Sequence, residues 1–216
     1  MAGTATRGPQ TPRTYPLTGR FLLGPAPAGL RLVQDLVNTA LAEPIAEHRP
    51  DLLVDLTGAG AWLDEALEQW SAAAGQRAPQ ITLADKDLPA LRDLRERLRA
   101  TLRASADNAQ PAAVAVAAPD GCAVAARLDL VLTPGGRVEY GPADPGWRAA
   151  ATLVAAEALL AQATGAWSRL KTCAHPPCGI CFYDSSPNRS RVWHDTKTCG
   201  NVNNLRASRT RRRADG

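Results

Sequence analysis

The sequence predicts a mostly α fold with a small antiparallel β-sheet, an α+β arrangement, and a distinct module at its C-terminal end. Three observations carry this. Apolar residues recur at three- and four-residue steps through three segments, and a fourth segment is apolar on nearly every side. Short β-prone runs lie between turn signals near residues 120–142. Four of the five cysteines and two of the three histidines fall between Lys171 and Asn201.

The helices come in order. Positions 30, 32, 33, 36, 37, 40 and 41 form an apolar stripe over "LRLVQDLVNTALA", closed by Pro44. A second helix is expected from about Asp55 to Ala74, where Trp62, Leu63, Ala66, Leu67 and Trp70 share a face and Gly75 is the stop. A third starts at Asp87, read as N-cap with Pro89 just inside, and carries Leu88, Leu91, Leu94, Leu98 and Leu102. Its charged residues Arg92, Asp93, Arg95, Glu96 and Arg99 are expected mostly on the solvated face. Asp120-Gly121 and Gly135-Gly136 mark turns of a sheet of two or three strands. Trp147 to about Thr164 is apolar enough to be the buried central helix.

Composition sets the class. Apolar residues make up 45% of 216 and aromatics only 5%, which implies a core of packed Ala, Leu and Val helices. Residues 1–16, rich in Pro, Thr and Arg, read as a disordered leader without the apolar stretch of a signal peptide. No run of 18 apolar residues exists, so no membrane span is expected and a cytoplasmic, reducing setting is. There, clustered cysteines are metal ligands more often than disulfides. The charge is uneven: ten Lys/Arg against three Asp/Glu from Gly165 to Gly216 give +7, leaving 15 minus 18, or −3, for the remainder. Such an end suits a polyanion.

Zinc takes tetrahedral Cys or His ligands, usually as two close pairs. Within this end the second pair is His194 and Cys199. Spacing leaves two first pairs open. Cys178-x2-Cys181 has the commoner gap, while Cys173-x4-Cys178 repeats the gap of His194-x4-Cys199.

The surrounding residues, Cys173, Cys178, Phe182, Asp184, Ser186, Asn188, Arg189, Arg191, Trp193 and then Cys199-Gly200-Asn201, resemble the CGNR zinc fingers of bacterial regulators. The resemblance covers about 40 residues and implies Cys173, Cys178, His194 and Cys199 as the zinc ligands. His194 stands where that family has Cys, and Val202 replaces the arginine of its name. "LVQDLVNTA", through Asp35, Leu36, Val37, Asn38 and Thr39, resembles the early motif of the ABATE domain, a stress-related regulatory domain that accompanies this finger. Residues 17–165 are accordingly expected to form an ABATE-like regulatory domain, and 166–216 a CGNR-type zinc finger with a basic tail.

Four protein ligands leave no open position, so a structural rather than catalytic zinc is expected, and no enzyme. The implied function is a DNA-binding transcription regulator whose N-terminal domain senses a signal or dimerises. Arg189, Arg191, Lys197, Asn201, Arg206, Arg209 and Arg213 are the residues expected on double-stranded DNA. Asp35, Asn38 and Thr39 are the candidates for a small-molecule signal, beside a plain capping role. A zinc-stabilised protein-interaction module, or an RNA binder, is the alternative.

Overall fold

The computed structural model describes residues 23–41, 51–107, 125–175 and 177–203. The expected leader, the Asp120-Gly121 turn and the basic tail with Arg206, Arg209 and Arg213 lie outside these residues. The described elements are helices α1 (Leu30–Val37), α2 (Leu56–Ala74) and α3 (Leu88–Asp107), strands β1 (Leu128–Leu132) and β2 (Val138–Pro142), helix α4 (Trp147–Ala163), and strands β3 (Leu170–Thr172) and β4 (Cys181–Tyr183). The helix-rich α+β class holds, with two antiparallel hairpins rather than one sheet: β1 pairs with β2, and β3 with β4.

Local chemistry sets most boundaries. Asp55 Oδ1 accepts from the Gly58 N–H at 2.8 Å and starts α2, and Gly75 ends it in the left-handed region at φ 65°. Asp87 is not the N-cap of α3. A 3-10 turn, Asp85–Asp87, precedes the helix, and Asp87 Oδ2 reaches back to accept from the Ala84 N–H at 2.9 Å.

The central helix is α1, not α4. Every residue of α1 except Arg31 is buried, and it packs against α2, α3, α4 and β4. Its eight residues end earlier than the apolar stripe suggested, because Thr39 Oγ1 turns back to the Leu36 carbonyl at 2.8 Å. Helix α4 buries one face, through Ala150, Ala151, Leu153 and Val154, and leaves Leu159 67% exposed. An Ala/Leu helix has no polar stripe to show which side faces out.

Three charged side chains of α3 and α4 are drawn inward. Arg95 and Arg99 are buried, contrary to the solvated face expected of them. Arg95 holds Asp51 by two bonds, at 2.6 and 2.9 Å, and reaches Thr39 Oγ1 at 3.2 Å. Arg99 Nη2 donates to the carbonyls of Val37 and Ala40 at 2.8 and 2.6 Å, which caps the C-terminal end of α1 with a cation. On α4, buried Glu157 accepts from Trp70 Nε1 at 2.6 Å and from the Tyr140 hydroxyl. Gly29, at the start of α1, lies against that carboxylate. A Cβ there would sit 1.9 Å from the Glu157 carboxyl carbon, so a larger residue would have to push that carboxylate off Trp70 and Tyr140.

The β3–β4 hairpin divides the core. Leu170 and Cys181 face the main cluster with α1–α4, while Cys173, Ile180 and Phe182 join a second cluster with Cys178, Cys199 and Leu23. The C-terminal module is thus not a bead on a string. Its sheet packs on α1 and α3.

Candidate metal centre

The second cluster brings Cys173, Cys178, His194 and Cys199 together. All four are buried, and their ligand atoms lie within 4.8 Å of one another. Strand alternation explains why Cys181 is not among them. Its neighbours Ile180 and Phe182 point to the cysteine cluster, and Cys181 itself points into the main core, fully buried. Burial there pushes its thiol well above the usual range.

Two loops deliver the donors. The first runs from β3 to β4. The Cys173 N–H donates to the Ile180 carbonyl at 2.8 Å, and the Cys178 N–H to the His175 carbonyl at 2.9 Å. In the second pair, His194 precedes and Cys199 lies within a five-residue helical turn, Thr196–Gly200, started by Asp195, whose carboxylate accepts from the Lys197 N–H at 2.8 Å and the Thr198 hydroxyl at 3.1 Å. Gly200 lets this turn approach Trp193: a Cβ there would lie 3.1 Å from Trp193 Cδ1. Trp193 and Phe182 pack against the cysteines.

The donor set fits zinc. Cys178 Sγ lies 3.4 Å from His194 Nδ1, near the edge of roughly 3.5 Å that bond lengths of about 2.3 and 2.0 Å give in a tetrahedron. The Cys178 hydrogen bond holds the Cys173 thiol below its usual range, against the opposing effect of burial. The same bond and burial push Cys178 up, and burial with the Cys173 charge pushes Cys199 up. Three thiols this close do not ionise together without a cation among them. Cys173, Cys178 and Cys199 would hold the ion through sulfur and His194 through Nδ1. A zinc so held supplies folding energy, not an open coordination position.

Asp184 organises the loop between the donor pairs. Its carboxylate has no exposed surface and accepts from Lys171 Nζ at 2.8 Å, the Ser186 hydroxyl at 2.6 Å and the Arg191 N–H at 2.9 Å. Lys171 also donates to the carbonyls of Arg189 and Arg191. Burial opposes ionisation, but these donors prevail and hold Asp184 down to about 2. A depressed carboxylate stabilises the fold above its unfolded pKa of about 3.9, and that contribution fades as pH falls toward 2. Asp184→Ala strands the Lys171 ammonium and is expected to cost about 3 kcal/mol at neutral pH, measured by urea unfolding with zinc present.

The expected nucleic-acid residues are partly engaged. Arg189, Arg191, Lys197 and Asn201 are exposed. Arg191 nonetheless donates to the His194 carbonyl at 2.6 Å and stacks 5.2 Å from the Phe182 ring centre. Arg189 reaches Ser168 Oγ at 2.9 Å, and Asn201 donates to the Lys197 carbonyl at 3.1 Å. Asn203 links the metal turn to half-buried His175, 2.9 Å from its Nδ1. Asp35, Asn38 and Thr39 are all buried. Thr39 serves α1 and Arg95, and Asn38 bonds the main chain of Cys181. Two features went unread in the sequence: the inward role of Asn38 and the hub at Asp184. Only the polar run Gln34-Asp35-x-x-Asn38-Thr39 inside an apolar stripe signalled the first.

Two family models match the chain. Residues 30–168 match ABATE, described as "Putative stress-induced transcription regulator", and residues 169–212 match the CGNR zinc finger. No curated protein matches the chain.

Proposed function

We propose, for a chain that belongs to the ABATE family and ends in a CGNR zinc finger, that it is a zinc-dependent transcription regulator whose finger binds double-stranded DNA. The observation that supports this is a closed, buried Cys3His cluster flanked by exposed cations, Arg189, Arg191 and Lys197, in the C-terminal end of the chain that carries the positive charge. A closed four-donor site builds shape, and the shape presents those cations to phosphate. Arg191 is held by His194 and Phe182, so its guanidinium is pre-ordered.

Fluorescence anisotropy with duplex DNA across a salt series tests the reading. Affinity is expected to fall steeply as salt rises, because each neutralised phosphate releases counterion. Lys197→Ala together with Arg189→Ala should lower the logarithmic slope by about two. A flat salt response would sink it. The competing reading is a protein-interaction finger that has lost DNA, and exposed Val192 and Val202 on the same module favour it. No duplex binding at low salt, with zinc bound, would select it.

A further inference from the structure

We propose that Asn38 is a positioning residue for the metal centre, acting from the N-terminal domain through the main chain of β4. The proposal rests on the zinc reading above.

The geometry carries it. The Asn38 side chain treats Cys181 as a neighbouring strand would. Oδ1 accepts from the Cys181 N–H at 2.8 Å, and Nδ2 donates to its carbonyl at 2.9 Å. Gln34 Nε2, one turn earlier on α1, approaches the same carbonyl at 3.4 Å. Both amides are buried, so both bonds act where water does not compete.

Cys181 is the point where this hold reaches the ligands. Its chain neighbour Ile180 accepts the Cys173 N–H at 2.8 Å, and Cys178 lies three residues earlier. Both cysteines of the first donor pair therefore hang from the strand that Asn38 fixes. Asn38 is itself fixed: it follows the last residue of α1, where Arg99 binds the Val37 and Ala40 carbonyls. The N-terminal domain thus fixes the start of the strand that follows Cys178 and whose preceding residue, Ile180, holds the Cys173 main chain. Linkage makes the effect reciprocal, so zinc in the finger steadies the end of α1.

The test uses the full chain. Asn38→Asp keeps the volume and the acceptor but replaces the donor with a carboxylate facing the Cys181 carbonyl. Zinc affinity is read by competition with a chromophoric chelator, and cobalt absorption reports the ligand set. We expect zinc to bind at least about tenfold more weakly, the size usual for residues that orient ligands. The cobalt spectrum at saturation should keep its three-sulfur, one-nitrogen character. Leu63→Ala, buried in α2, serves as a control for general destabilisation and should leave affinity within about twofold of wild type. Should Asn38→Asp not fold, Asn38→Ser removes the pairing without adding a charge and is read the same way. Wild-type affinity in the Asn38 variant, or equal weakening in Leu63→Ala, overturns the proposal. A wild-type chain that takes up no zinc overturns the zinc reading itself, a different and recognisable failure.

Discussion

Replacing Cys199 with serine, or stripping zinc with a chelator, is expected to dissolve the C-terminal module and weaken the N-terminal core with it. Structural zinc sites supply on the order of 10 kcal/mol of apparent folding energy at neutral pH. Whole domains hold only about 5–15 kcal/mol in reserve. Among the described residues, the second cluster holds the cysteines, Leu23, Ile180 and Phe182, with Leu41 and Trp193 packed against it, a small apolar core to persist without the metal. The consequence does not stop there, because Leu170 and Cys181 of the same hairpin pack in the main cluster. Circular dichroism and hydrogen exchange check this. Protection should vanish first in β3, β4 and the Thr196–Gly200 turn, then fall in α1 and α3. A chelated chain with unchanged protection in α1 would show that the two clusters are energetically separate.

The second large effect separates two arginines two positions apart on α3. Arg99→Ala removes the donors to the Val37 and Ala40 carbonyls and is expected to cost about 3 kcal/mol, since buried acceptors and the Glu96 partner lose their cation. At roughly 2–4 °C per kcal/mol for a chain of this size, the melting midpoint should fall by about 6–12 °C. Arg97→Ala removes an exposed i,i+4 pair with Asp93 and should cost no more than about 0.5 kcal/mol. Equal effects from the two variants, measured by thermal unfolding, would mean that Arg99 does not cap α1.

The same helix shows what a sequence can and cannot carry. Leucines at three- and four-residue steps place α3 and its buried face, and Gly75 and Asp55 mark the ends of α2. Periodicity does not reveal that Arg95 and Arg99 turn inward, because their partners, Asp51 and the end of α1, are distant in sequence. Nor does it show that α1 rather than α4 is central, since hydropathy measures how apolar a helix is and not how many neighbours it has. The metal cluster was legible because its ligands are close in the chain and chemically distinctive. The β3–β4 hairpin was not: three-residue strands leave no alternation to read, yet that hairpin decides which cysteine faces the metal and which faces the core.

The most direct test of the account is zinc content per chain in wild type, Cys181→Ala and His194→Ala, by elemental analysis of the purified proteins. One zinc is expected in wild type and in Cys181→Ala, and zinc lost or depleted in His194→Ala. Zinc lost from Cys181→Ala but retained in His194→Ala would place the metal on a different set of residues and contradict it.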